Sequence, residues 1–160
     1  MAGSIRKGTE ADIPRIAEIY DRILAREEAG LVTIGWQRGV YPTEQTAREA
    51  LAAGELYVLE HAGQVAAAAR INGVQVPEYA NAAWRYPDVP AEQVLVIHTL
   101  VVDPEMAGKG YGTAFVAFYE DLARKNGCTE LRMDTNERNL AARTLYHKLG
   151  YTEVDILPTV

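Results

Sequence analysis

The sequence holds a single cysteine, Cys128, which excludes an intrachain disulfide, and it has no spaced set of cysteines and histidines to hold a metal. Apolar neighbours mark Cys128 as small-residue packing. Basic residues are scarce too: 16 Lys and Arg stand against 22 Asp and Glu, a formal net charge of −6 with no basic cluster. Binding nucleic acid through its phosphates needs a Lys/Arg-rich surface, so nucleic acid is not an expected partner. A ligand with one pyrophosphate needs only a local positive site, which an acidic chain can supply. No run approaches transmembrane length, and the opening "MAGSIRKGTEAD" has no apolar signal core, so we expect a cytoplasmic protein with no membrane partner. Repeats, low-complexity tracts and linkers are also missing. The 160 residues read as one domain, 1–160, large enough to bury a core without covalent staples.

What is present changes period along the chain. "SIRKGT" predicts a short first strand. Thr9, three residues before Asp12, resembles a capping box, and Ile13, Ile16, Ile19/Tyr20 and Ile23 follow at helical spacing up to Gly30. A second helix is predicted from Thr43 to Gly54, with Ala47, Ala50 and Leu51 on one face. "ELYVLEHAGQVAAAARING" reads as two strands turning at Ala62-Gly63. An irregular stretch, Val74 to Glu92, carries three prolines and the aromatics Tyr79, Trp84 and Tyr86; loops of this length in compact domains tend to be functional. "QVLVIHTLVV" is nearly apolar throughout and predicts a central strand buried on both faces. Phe115, Phe118, Tyr119 and Leu122 mark a helix ending near Gly127. "TELRMDT" predicts a strand, Asn139 opens a helix through Leu149, and "YTEVDIL" predicts a last strand. The order implies a mixed α/β sheet with helices on both faces.

The stretch "MAGKGYGTAF" has the look of a phosphate cradle. A Walker-type loop needs Lys followed by Ser or Thr, and here Lys109 is followed by Gly110. A dinucleotide fingerprint needs G-x-G-x-x-G tight against a strand, whereas this run is G-x-G-x-G with five residues between Val102 and Gly108. "LVVDPEMAGKGYGTAFV" instead resembles the acyl-CoA signature of GNAT-type N-acetyltransferases, with Gly110 and Gly112 at its two glycines. "NERNLAARTLYHKLGYTEV" is similar to that family's C-terminal motif, filled in register by Asn139, Ala142, Leu145, Tyr146, Gly150 and Tyr151. Together the two motifs and the element order cover about the whole chain.

The resemblance implies the GNAT acyl-CoA N-acyltransferase fold, a mostly antiparallel sheet with central splayed parallel strands. It implies acetyl-CoA as co-substrate, its pyrophosphate on the backbone N–H groups of Gly108, Lys109, Gly110, Tyr111, Gly112 and Thr113 at a helix N-terminus. Pantetheine would bond the backbone at Leu100, Val101 and Val102, and Asn139 either contacts the cofactor or caps its helix. Ala107 departs from the signature's Gln/Arg, and this loss of a side-chain contact either weakens CoA affinity or leaves Lys109 to compensate. The implied general acid is Tyr146. His98 is the leading base, through water, and by two-residue alternation it shares a face with Val96, Leu100 and Val102; Glu78, Asp88 and Glu92 are alternatives. His61 and His147 read as structural or exposed, and Cys128 lies away from both motifs, which disfavours a covalent route.

The acceptor is expected between the first two helices and before the central strand. Trp36, Tyr41, Tyr79, Trp84 and Tyr86 are candidates to wall a pocket there. Arg38 points to an anionic amine, whereas the acidic loop residues point to a polyamine or basic peptide. The activity expected is acetyl transfer to a primary amine of a small molecule or peptide by direct attack in a ternary complex. The alternative is a non-catalytic acyl-CoA-binding module. An incomplete sheet edge at the end of the chain predicts a homodimer.

Overall fold

The computed structural model describes residues 3–136 and 138–156. Five strands form one sheet in the order β1-β2-β3-β4-β5: β1 (Ser4–Lys7), β2 (Leu56–His61), β3 (Gln64–Asn72), β4 (Val94–Val102) and β5 (Glu130–Arg132). The first four pair antiparallel, and β4 and β5 run parallel. The β2–β3 hairpin turns on Ala62 and Gly63, both at positive φ (54° and 76°), the pair of left-handed residues that a tight hairpin with right-twisted strands requires.

Helices cover both faces. α1 (Ile13–Glu28) and α2 (Glu44–Ala52) lie on one side, where Ile13, Ile16, Ile19, Ala47 and Ala50 pack with Val58, Ala68 and Val101. Each fully buried isoleucine contributes roughly 1.5–3 kcal/mol to burial of this layer. α3 (Tyr111–Lys125) covers the other face, with Phe115 and Tyr119 against Leu59, Leu95 and Ile97. α4 (Leu140–Lys148) follows β5. Among the described residues no helix is long and apolar enough to cross a membrane, and none form a group of His, Cys, Asp and Glu able to hold a metal ion.

The expected last strand is not formed over residues 151–156, and Leu157 lies outside the described residues. Tyr151 and Val154 are half-buried while Ile156 is exposed, so the segment lacks the strict alternation that gives a strand a face to bury. Side chains hold it instead: Tyr151 donates to Glu120 at 2.9 Å and Asp155 accepts from the Ala83 amide at 3.1 Å. The loop before β4 is organised around Arg132 of β5, a buried guanidinium that donates to Gln75 (2.7 Å) and to the Tyr86 carbonyl (3.1 Å). It stacks on Trp84 at 4.1 Å.

Candidate active site

β4 and β5 stay paired for three residues only, Val94 to Val96 against Glu130 to Arg132. At this point the Tyr119 hydroxyl, fully buried on α3, lies 2.6 Å from the Leu95 carbonyl and 2.9 Å from that of Arg132. Its one proton is shared between the two carbonyls where the ladder stops, which ties the ends of the paired segment together. Beyond it, β4 keeps β3 on one side and opens its other edge from Ile97 to Val102. A bulge falls in this open part: Ala68 faces Val101 and Arg70 faces His98, so β4 carries one residue more than β3. Thr99 takes the strain, at φ 52°, a conformation a β-branched residue rarely adopts.

The bulge flips the faces of β4. Val94 and Val96 pack with Tyr79, but Leu100 and Val102 join Leu95 and Ile97 on the α3 side. His98 therefore does not share a face with Leu100 and Val102 as simple alternation predicts; it pairs across the ladder with Arg70 and bonds Asn72. The extra residue shifts the two-residue period by one.

Past β4 the chain turns through Pro104–Met106 into the glycine run. Gly110 caps α3 in the left-handed region at φ 78°, and open space lies where its side chain would be. The Ala114 amide is the first to close a helical bond, onto the Gly110 carbonyl at 2.9 Å, so the amides of Tyr111, Gly112 and Thr113 precede the helical ladder. Such a terminus suits an anion. Gly112 differs: a Cβ there would meet Leu145 of α4 at 3.4 Å and Val102 at 3.9 Å, ordinary contact distances that place α4 directly beside the turn. Lys109 is exposed beside it. The turn is held from behind by Asp103, 1% exposed, which accepts from the Glu105 amide at 2.9 Å and from Arg15 and Arg22 of α1. Burial alone would raise the Asp103 pKa; the Glu105 amide and the two guanidinium groups hold it below the ordinary carboxylate value.

Tyr146 follows Leu145 on α4, with Tyr151 edge-on to its ring at 6.3 Å. Burial pushes its phenol up to about 12, and the negative charge of Asp134 adds to the shift, so the hydroxyl keeps its proton at neutral pH. His98 is pushed the other way: burial holds it below 6.5, against the pull of Asp134. Its Nε2 lies 2.7 Å from Asn72 Oδ1, which also accepts from the Val74 amide at 2.9 Å, while Asn72 Nδ2 donates to Glu55 at 2.9 Å. Those bonds fix the amide's orientation, so Nε2 carries the imidazole proton and Nδ1 the lone pair.

Of the expected acceptor residues, Tyr41 and Tyr79 reach this group. The Tyr41 hydroxyl bonds Thr99 Oγ1 at the bulge, and Tyr79 donates to Asp134 Oδ1 at 2.7 Å. Trp36 packs edge-on against Tyr41 at 5.7 Å, and Trp84 edge-on against Tyr79 at 5.1 Å, its indole N–H on the Tyr79 carbonyl. Tyr86 exposes its ring, and its carbonyl serves Arg132. Arg38 is paired with Asp21 and Glu28 of α1. The Tyr111 side chain turns inward to bond His61 at 2.7 Å, leaving only its backbone for the turn, and Asn139 caps α4 through the Ala142 amide at 3.2 Å. Asp134, Asn72, Glu55 and Tyr119 were not among the residues expected from sequence. Asp134 had one available signal, a carboxylate just past the carboxyl end of a parallel strand, where open α/β sheets gather their ligands.

The family model described as acetyltransferase (GNAT) family matches residues 16–151. The uncharacterized N-acetyltransferase YhfO of Bacillus subtilis is 31% identical over 68 residues, 42% of this chain and 46% of that protein. The chain spans less than half the length of the curated relatives it matches. A GNAT-family acetyltransferase from Listeria monocytogenes superposes with a TM-score of 0.74 at 17% identity, covering 97% of this chain and 89% of that one. yncA of Salmonella typhimurium, solved with its cofactor acetyl-CoA, gives 0.66 at 22% identity, covering 95% and 80%. The likeness to these two structures is one of fold. With 136 of 160 residues inside the family match, the chain belongs to the acetyltransferase (GNAT) family.

Proposed function

We propose that the protein, as one domain acting in the cytoplasm, transfers an acetyl group from acetyl-CoA to a primary amine of a small molecule or peptide within a ternary complex. The observation that carries this reading is the splay of β4 from β5 directly before the glycine turn, with Tyr146 on the helix that packs against that turn. The residues fit the co-substrate. Gly108 and Gly110 leave open space for a pyrophosphate to approach the backbone, and Lys109 offers a compensating charge for Ala107. The free edge at Leu100, Val101 and Val102 offers backbone groups to an extended amide-bearing arm. The Thr99 bulge leaves an amide out of the ladder, where it can face the oxygen of a thioester carbonyl.

The co-substrate supplies an activated acyl group as a thioester. His98, neutral at physiological pH, takes the proton that the acceptor ammonium must lose, through water. The amine nitrogen then bonds the acyl carbon, the carbon–sulfur bond breaks, Tyr146 gives its proton to the departing sulfur, and the second proton of the attacking nitrogen returns to the Tyr146 phenolate. A phenol near 12 is protonated when needed. The three-residue β5 leaves a sheet edge for a second copy, and we expect a homodimer in solution, measurable by light scattering.

The test is thiol release from acetyl-CoA across a panel of amines, comparing the wild type with Tyr146→Phe. The expected result is turnover with at least one amine class and a loss of about a hundredfold or more in kcat for the variant, with the KM for acetyl-CoA near the wild-type value. Tight coenzyme A binding without turnover on any amine or peptide would establish the binding-module reading instead.

A further inference from the structure

Asp134 stands out in the acceptor region as an exposed carboxylate without a cation. It lies two residues past Arg132, where β5 has left β4, and the Tyr79 hydroxyl donates to its Oδ1 at 2.7 Å. No Lys or Arg among the described residues comes within ion-pair distance of it. The nearby charges cancel elsewhere: Arg70 pairs with Glu55 at 2.7 Å, and Arg132 is engaged by Glu130, Gln75 and Trp84. The Asp134 charge is felt by Tyr41 from the segment between α1 and α2, Tyr79 from the loop before β4, His98 on β4 and Tyr146 on α4. Four segments thus lie near Asp134, and the space beside it is open to solvent, with aromatic rings and a carboxylate that has no ion-pair partner among the described residues.

The complement of such a space is a cation bearing N–H donors on an apolar body. An ammonium fits: it donates to the second carboxylate oxygen, and its stem lies against the rings of Tyr41 and Tyr79. An amine flanked by its own carboxylate fits poorly, because that anion would be brought beside Asp134. Arg38, the cation expected to receive it, is already spent on Asp21 and Glu28.

We propose that Asp134 is the anchor for the acceptor ammonium, and that the site selects amines with an apolar or second cationic arm over the corresponding amino acids. This rests on the reading of the protein as an amine acetyltransferase. Asp134 holds the nitrogen in reach of both His98 and Tyr146, and His98 remains the group that takes its proton.

Two matched pairs test it: 2-phenylethylamine against phenylalanine, and 1,4-diaminobutane against ornithine, each member of a pair differing by one carboxylate. Wild type, Asp134→Asn and Asp134→Glu are compared in steady-state kinetics and in calorimetric binding of the same compounds to protein saturated with coenzyme A. The amide introduced by Asp134→Asn retains an acceptor for the Tyr79 hydroxyl, so its effect reports charge. We expect the decarboxylated member of at least one pair to be preferred about tenfold or more. We expect Asp134→Asn to raise its KM and Kd about tenfold and narrow the preference, with the KM for acetyl-CoA within about twofold and partial recovery in Asp134→Glu. Equal binding of amine and amino acid, or an amine Kd unchanged in Asp134→Asn, overturns the proposal. Preferential amine binding that depends on Asp134 but leads to no thiol release upholds the anchor while sinking the acetyl-transfer reading.

Discussion

The two sides of the splay are made of different material. The side facing the glycine turn is backbone: the open edge of β4, the bulge at Thr99 and the amides that start α3. The side proposed to face the acceptor is side chains from separate segments, Tyr41, Tyr79, His98, Asp134 and Tyr146. A backbone site is specified by where glycines and strand ends fall, so it recurs wherever one co-substrate is shared. A side-chain site is free to vary residue by residue on the same frame, and this is where one amine is distinguished from another.

If that division holds, changes on the acceptor side should alter chemistry and amine recognition while sparing the co-substrate. His98→Gln gives the larger effect. The folded chain disfavours the imidazolium because burial holds His98 below 6.5, so the neutral base persists as pH falls past the value of a free histidine. Activity should decline along an acid limb lying below 6.5, and His98→Gln should lower kcat/KM by about tenfold to a hundredfold and remove that limb. The same shift has a stability consequence with a definite sign. The unfolded chain binds a proton near 6.5 that the folded one refuses, so this contribution is complete above 6.5 and is lost as pH falls from there toward the folded value. A pH–rate profile with its acid limb above 6.5, or one unchanged in His98→Gln, would break the assignment.

On the backbone side the corresponding change is Gly110→Ala. Gly110 needs φ 78°, which costs an alanine about 1 kcal/mol, and the new methyl would project into open space where the pyrophosphate is expected. We expect the KM for acetyl-CoA to rise about three- to tenfold with the amine KM within error. Equal changes in both constants would mean that the two sides are coupled rather than separate.

Much of the frame was legible because it is periodic. The α1 stripe of Ile13, Ile16, Ile19 and Ile23 and the Ala62-Gly63 turn follow directly from spacing and turn chemistry. The glycine turn was legible because only a few cradles fit its pattern. Other features leave no such trace. Thr99 is a poor residue for a positive φ, so nothing local announces the bulge, and with the bulge unseen the face of His98 is misread. Asp134 looks in sequence like any solvated strand end, and it is exposed; what sets it apart is the bond from Tyr79, which belongs to a loop far away in sequence. Asn72 falls at the end of a predicted strand with nothing to mark it, whereas its amide fixes the His98 tautomer. The last predicted strand is not formed over residues 151–156 because, although its composition favours a strand, the segment does not bury alternate side chains: Tyr151 and Val154 are half-buried and Ile156 is exposed.

Arg38 is the sharpest case, because residue type alone made it a substrate contact. Its guanidinium donates to Glu28 at 3.0 and 3.1 Å and to Asp21, all on exposed surface of α1. Exposed pairs of this kind contribute little to stability, since solvent already screens the charges. Removing the side chain therefore neither exposes a buried partner nor empties the acceptor wall, while Tyr41, three residues on, keeps its bond to Thr99. Arg38→Ala should leave kcat, the amine KM and the KM for acetyl-CoA within about twofold of wild type and shift the midpoint of thermal unfolding by no more than about 2 °C. A selective loss of activity toward carboxylate-bearing amines in this variant would show that the arginine leaves α1 when such an acceptor arrives, and would move the boundary of the acceptor side out to residue 38.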